Sequence, residues 1–253
     1  MKLYHKALGE GEVLIILHGL MGMLDNWQSP AQVYSQHFRT HLLDARNHGH
    51  SPHSDEFSYE LMVADLLEFM DNERIERAHL LGHSMGGKTV MKFAQNHPER
   101  VRKLIVADIG PKAYPVHHEQ ILAALKEVDF SQVDRRSQIE PILEKRISEW
   151  GVRQFLLKNV YWKEKGKLAY RFNLDAIDDQ IDCVGDEIED AEYTGETLFI
   201  RGSKSNYILD YDWPDIRLTF PNAVLETVEG ANHWLHADKP EEFNAKVLKF
   251  LLD

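Results

Sequence analysis

Gly82-His83-Ser84-Met85-Gly86 decides how this chain is read. The stretch has the form G-x-S-x-G. It directly follows the apolar run Ala78-His79-Leu80-Leu81, and a helical pattern opens behind it in Gly87-Lys88-Thr89-Val90-Met91-Lys92-Phe93-Ala94. Strand, tight turn with a serine at its tip, then helix: this describes a nucleophile elbow. The turn forces the serine into a strained backbone conformation. Glycine is needed two residues to either side because a Cβ there would strike the neighbouring strand or helix. The strain holds the hydroxyl out of the sheet, at the N-terminus of a helix whose amides favour negative charge. Ser84 is the candidate nucleophile.

A serine needs a general base, and the base needs a third group to orient it. With this elbow the base comes last in the chain, after the final strand. There the sequence supplies Gly230-Ala231-Asn232-His233-Trp234, behind the alternating run Val224-Leu225-Glu226-Thr227-Val228 and ahead of a helix from Pro240 to Leu252. The chain holds 14 histidines, so position alone says little. The strand, glycine, histidine, helix context singles out His233 as the base. His236, three residues on, is expected to pack or cap instead.

Val13-Leu14-Ile15-Ile16-Leu17 is continuously apolar, as in a strand buried on both faces. It runs into His18-Gly19-Leu20-Met21-Gly22. A strand ending in His-Gly lets the chain turn so that the next N–H points into the site. The Leu20 and Met85 amides are the expected oxyanion hole. His18 is expected to shape the turn rather than to take part in the chemistry.

The ordered motifs His18–Gly22, Asp44–Gly49, Gly82–Gly87 and Gly230–Trp234 resemble those of the α/β-hydrolase superfamily. More narrowly, the chain resembles the YbfF-type bacterial esterases. The narrower cues are Leu43–Ser51, Gly82–Lys88, Asp108-Ile109-Gly110-Pro111, Gln154–Lys158, Arg171-Phe172-Asn173 and His233–Ala237, nearly end to end. The resemblance implies an α/β fold, a mostly parallel sheet flanked by helices. A helical cap is inserted before the penultimate strand.

Most members of that superfamily carry an Asp after the penultimate strand. Here Thr197-Leu198-Phe199-Ile200 is followed by Arg201-Gly202-Ser203-Lys204-Ser205-Asn206. The expected position holds Ser205, which supplies no charge. Asp108 ends the strand Lys103–Ala107 beside the elbow strand, where a carboxylate reaches His233 from the other side. The resemblance supports Asp108, because relatives of this type carry an acid there. Asp210 and a water-linked or absent acid are the alternatives.

The net charge of −12 argues against nucleic acid and against anionic membrane surfaces as partners. The single cysteine, Cys183, excludes an intramolecular disulfide and a cysteine metal cluster. Met1 to Glu12 is polar and shows no signal peptide, and no apolar run approaches the roughly 20 residues of a membrane span. A cytoplasmic enzyme with a small-molecule ester as its partner is expected, with no cofactor and no metal. His117-His118-Glu119 is read as a solvated helix start rather than a metal site.

Strands and helices alternate, which argues a parallel sheet. Strands are expected at Leu3–Ala7, Val13–Leu17, Thr40–Leu43, Ala78–Leu81, Lys103–Ala107, Thr197–Ile200 and Val224–Val228. Helices are expected at Trp27–Gln36, Tyr59–Asn72, Met85–Asn96 and Glu241–Leu252. The stretch Pro111–Glu192 breaks the alternation and reads as mostly helical: Glu119–Lys126, Ser137–Glu149, Val152–Asn159 and Asp175–Ile188. The organisation is therefore a core of residues 1–110 and 193–253 with a cap of residues 111–192. Aromatic residues of the cap, Phe155, Trp162 and Phe172 among them, and Met21 and Trp234 are candidates to line an acyl pocket. The polar loop Asp44–Ser51 is expected to brace the sheet end, with Arg46 and Asp44 paired.

These residues predict a serine carboxylesterase acting on small acyl esters through an acyl-enzyme on Ser84. The rivals on the same frame are a thioesterase, a C–C bond hydrolase or lyase, and a non-catalytic ligand-binding receptor. A serine at the elbow argues against relatives that use a carboxylate nucleophile.

Overall fold

The computed structural model describes residues 1–116, 118–188 and 191–253. The chain opens with β1 (His5–Leu8), β2 (Val13–Leu17), α1 (Gln28–Tyr34), β3 (Arg39–Leu43), α2 (Tyr59–Asn72), β4 (Ala78–His83), α3 (Met85–Asn96) and β5 (Val101–Ala107). An insertion follows: α4 (Glu119–Lys126), α5 (Glu140–Glu144), α6 (Trp150–Leu157), β6 (Val160–Glu164), β7 (Lys167–Tyr170), α7 (Leu174–Asp179) and α8 (Asp182–Gly185). The chain then returns to the sheet with β8 (Thr197–Gly202), α9 (Trp213–Thr219), β9 (Ala223–Val228), α10 (Leu235–Asp238) and α11 (Pro240–Leu252).

Seven strands form one sheet in the order β1-β3-β2-β4-β5-β8-β9. Only β1 runs antiparallel to its neighbour. The apolar run of β2 explains its inner place. Leu14 and Ile16 face one hydrophobic layer, and Ile15 and Leu17 the other. This is the two-residue alternation of a strand covered on both sides. Trp27, Tyr34, Phe243 and Val247 fill one layer; Met62, Leu66, Phe69, Val90 and Phe93 belong to the other. In α2 the buried Tyr59, Met62, Val63, Leu66, Phe69 and Met70 recur at helical spacing. The Ser58 side chain accepts the Leu61 N–H and caps its start.

Helix α3 is tied to both ends of the insertion. Lys88 is fully buried, and its ammonium donates to the carbonyls of Lys112 (2.9 Å), Gly185 (3.3 Å) and Asp186. Burial lowers its pKa to about 8.

The insertion differs from the expected run of helices. Residues 160–170 form the antiparallel hairpin β6–β7. Val160, Tyr161 and Trp162 favour strand, and Gly166 at φ +82° supplies the turn. The helix expected over 137–149 shrinks to Glu140–Glu144, with Pro141 in its first turn fixing where it starts. The helix expected over 175–188 is two short pieces. Between them Gln180 accepts the Phe57 N–H at 3.0 Å and donates to the Asp55 carbonyl. No described helix is long and apolar enough to cross a membrane. Of the His117-His118-Glu119 stretch, His117 lies outside the described residues.

The expected Asp44–Arg46 pair does not form. Arg46 instead holds Asp65 through two nitrogens, at 2.7 and 3.0 Å. Asp44 accepts the backbone N–H groups of Leu24 at 2.7 Å and His50 at 2.8 Å. A buried carboxylate among loop amides is satisfied without a guanidinium, and Arg46 turns to the acid on α2.

Candidate active site

Ser84 sits between β4 and α3 at φ 53°, ψ −118°. A residue with a Cβ is strained there. Two glycines make the turn possible. A Cβ on Gly82 would lie 2.2 Å from the Gly86 carbonyl oxygen, and one on Gly86 would lie 2.5 Å from the Leu17 carbonyl oxygen. The elbow thus packs against the end of β2, where Gly19 begins the next loop.

That loop is a tight turn closed by the Gly22 N–H on the Gly19 carbonyl at 2.9 Å. The Met21 amide is engaged, donating to His48 Nε2 at 3.0 Å. Among the described residues neither the Leu20 nor the Met85 amide meets a protein acceptor. His18 is buried at the base of the turn. Its Nε2 accepts the Ala45 N–H at 3.1 Å, so Nδ1 carries the proton that meets the Gly19 carbonyl at 2.8 Å. Burial lowers its pKa to about 4. Both ring nitrogens are thus committed to shaping the loop.

His233 follows β9 and is brought beside the end of β5. Its Nδ1 lies 2.7 Å from Asp108 Oδ2. Asp108 is fully buried, at φ +53°. Its carboxylate accepts twice more: Oδ1 from the Gly202 N–H at 3.0 Å and Oδ2 from the Ser205 hydroxyl at 2.5 Å. A carboxylate makes no donor, so the proton between it and His233 sits on Nδ1, and Nε2 is left to accept.

Two neighbours of His233 carry no signal of their own in the sequence. Tyr207 stacks on its ring, centroids 4.1 Å apart and planes 26° from parallel. His83, the residue before Ser84, donates from Nε2 to the His233 carbonyl at 2.9 Å. The elbow therefore holds the loop that carries His233. Burial, reinforced by the nearby His233 and His236, keeps the His83 pKa well below its usual value. His236 is buried and stacks on Trp27 at 4.1 Å. Its pKa falls to about 3 through burial. Both rings stay neutral beside His233. Ser205, read in the sequence only as the empty acid position, is the hydroxyl on Asp108. No periodicity could have shown these contacts; Ser205 and Asp108 lie 97 residues apart.

Of the candidate pocket residues, Phe155 on α6 packs against Trp234, centroids 5.3 Å apart, beside His233. Met21 is buried in the loop that carries the Leu20 amide. Phe172 and Trp162 are placed differently. Phe172 is buried and stacked on Tyr170 within the insertion. Trp162, on the hairpin, is 55% exposed. Among the described ring contacts neither touches Trp234 or His233. Asp210 is exposed and paired with Arg201 at 2.6 Å. Among the described residues no cluster of three His, Cys, Asp or Glu side chains is arranged to hold a metal ion.

Residues 12–138 match the family described as the alpha/beta hydrolase fold. The chain belongs to that family and, within it, to the YbfF-type bacterial esterases. It is 34% identical to esterase YbfF of Escherichia coli, covering 95% of this chain and 93% of that one. It is 38% identical to the sn-1-specific diacylglycerol lipase ABHD11 of Danio rerio, covering 96% of this chain and 79% of the lipase. A solved marine microorganism esterase superposes with a TM-score of 0.96 at 44% identity, over 98% of this chain and 99% of that one. The chain is a hydrolase of the esterase and lipase kind.

Proposed function

We propose that the protein hydrolyses carboxylic esters by two-step acyl transfer on Ser84. The 2.7 Å contact between His233 Nδ1 and Asp108 Oδ2 carries this reading, because it leaves Nε2 free to take a proton. His233 accepts the Ser84 proton as the hydroxyl attacks the ester carbonyl. The Leu20 and Met85 amides receive the developing oxyanion. His233 then protonates the leaving alcohol, and a water deprotonated by the same ring releases the acid. Asp108 fixes the tautomer and balances the imidazolium.

Residues 111–192 act as a cap over this centre on a core of residues 1–110 and 193–253. The contact of Phe155 with Trp234 supports that placement. A small acyl group is the first substrate expected. The relative named as a diacylglycerol lipase favours a second reading, a longer glycerolipid acyl chain on the same machinery.

The test joins labelling to turnover. A fluorophosphonate is expected to label the wild type once, on Ser84, and to leave Ser84→Ala unlabelled and inactive but folded. Short and long p-nitrophenyl esters, a diacylglycerol, an acyl-CoA thioester and a C–C bond substrate are compared. Labelling that survives in Ser84→Ala removes the nucleophile assignment. Turnover of the C–C substrate alone removes the esterase reading.

A further inference from the structure

The backbone of Met21 is gripped from two sides. Its N–H donates to His48 Nε2 at 3.0 Å, and its carbonyl accepts from Asn159 Nδ2 at 2.8 Å. His48 comes from the loop after β3. Asn159 comes from the insertion, between α6 and β6. Met21 itself stands at φ +55°, in the left-handed region. It is the third residue of the turn that Gly22 closes on Gly19, and a positive φ at that place marks a type II turn. Turning the Leu20–Met21 peptide over to the type I arrangement would pull the Met21 N–H off His48. The Leu20 amide is the first amide inside this turn, so its direction is set by whatever holds the turn.

The orientation of the Asn159 amide is settled by its surroundings. Its Nδ2 also lies 3.4 Å from the Phe155 carbonyl, and only an NH2 group faces two carbonyl oxygens. Its Oδ1 is buried and meets no donor among the described residues. The residue is 1% exposed, and its backbone is fixed at both ends. The Asn159 N–H reaches the Leu156 carbonyl at 3.0 Å, and its carbonyl accepts the Arg171 N–H at 2.9 Å. One turn earlier, Phe155 packs on Trp234 beside His233. The same segment therefore reaches both the base's loop and the oxyanion turn.

We propose that Asn159 is a positioning residue through which the insertion fixes the oxyanion hole: its side-chain amide locks the turn that presents the Leu20 donor. This rests on the acyl-transfer reading above. An oxyanion donor acts only when held close to its productive direction, so loosening the turn weakens transition-state binding more than substrate binding.

Asn159→Asp keeps the shape and replaces the donor by a carboxylate facing two carbonyls. With p-nitrophenyl butyrate, kcat is expected to fall about 10- to 100-fold, approaching the loss of a whole oxyanion donor, while KM stays within about twofold. Affinity for a trifluoromethyl ketone, whose serine adduct puts its oxyanion in the hole, is expected to fall in parallel with kcat/KM. Asn159→Ala, which adds no charge, is expected to show the same split more weakly and serves if the Asp variant fails to fold. The control is Asn173→Asp. Asn173 also crosses from the insertion to the core, donating to Asn47 Oδ1 at 3.3 Å and the Ser54 carbonyl at 3.2 Å, but it does not touch Met21. Its variant is expected to keep kcat and inhibitor affinity. Folded Asn159 variants with wild-type kcat, or with only a raised KM, overturn the inference. So does an equal kcat loss in Asn173→Asp. An active wild type with indifferent Asn159 variants removes this inference alone. A wild type that hydrolyses no ester and takes no fluorophosphonate removes the acyl-transfer reading and this inference with it.

Discussion

The Ser205 hydroxyl donates to Asp108 Oδ2 at 2.5 Å, the same oxygen that meets His233 Nδ1 at 2.7 Å. The loop after β8 thus contributes a neutral donor to a carboxylate carried by β5. With the Gly202 N–H on its other oxygen, the carboxylate is held from β8 and its following loop while it faces the histidine. Asp108→Asn is expected to lower kcat by about 10²–10⁴, because the imidazole loses its tautomer lock and its counter-charge. Asp210→Asn is expected to change kcat less than about twofold, since that side chain is 92% exposed and bound to Arg201. Steady-state kinetics on the two variants decides the matter. A fully active Asp108→Asn enzyme, or a crippled Asp210→Asn, reverses the assignment.

The acyl pocket is expected beside Phe155 and Trp234 rather than at the other aromatics of the insertion. Phe155→Ala is predicted to change the ratio of kcat/KM for long against short acyl chains by about tenfold at most, the worth of a few methylenes. Trp162→Ala, at a side chain 55% exposed, is predicted to leave the ratio alone. Phe172→Ala removes a ring buried at 2% exposure and is predicted to cost about 3–5 kcal/mol of stability instead. A chain-length series for each variant, with urea melts alongside, separates the two effects. A ratio that moves with Trp162 and not with Phe155 relocates the pocket to the hairpin.

What the sequence made legible is what local chemistry dictates. The strand β2 and the elbow could be read from an unbroken apolar run and from two glycines whose Cβ positions are forbidden. The helices α2 and α3 were legible to the residue because their apolar spacing and, for α2, the Ser58 cap agree. The hairpin β6–β7 was not, since Val160–Tyr170 lies among helical patterns and is too short for period 2 to stand out. At the site, motif context pointed to Ser84, His233 and Asp108, and the structure sets the last two in contact. The groups around them come from remote chain segments. His83 meets the His233 carbonyl across 150 positions, and Asn159 meets Met21 across 138. Arg46 chose Asp65 over Asp44 for the same reason: a helix folded over the loop offered a carboxylate whose two oxygens meet the guanidinium together.

His41 gives the last prediction, on stability. It is fully buried on β3, edge-on to Phe69 at 5.6 Å, and among the described residues neither ring nitrogen has a hydrogen-bond partner. Burial, aided by the charges of Arg39 and His5, lowers its pKa from 6.5 to about 4. Between those two values the unfolded chain binds a proton that the folded chain refuses, so stability falls as pH drops from 6.5 towards 4. Above pH 6.5 this loss is absent, and below 4 it is complete. Each pH interval of one between the two values costs about 1.4 kcal/mol, so the loss reaches at most about 3.5 kcal/mol. His41→Leu replaces two unsatisfied nitrogens with apolar surface and is expected to add about 1 kcal/mol at pH 7. The gap over the wild type is expected to widen as the solution is acidified. His18, His48 and His236 share the same direction of shift, so the variant keeps part of the acid slope. Urea unfolding at about pH 7, 5.5 and 4.5 measures the gap. Parallel stability curves for variant and wild type would mean that His41 finds a partner for its proton inside the fold.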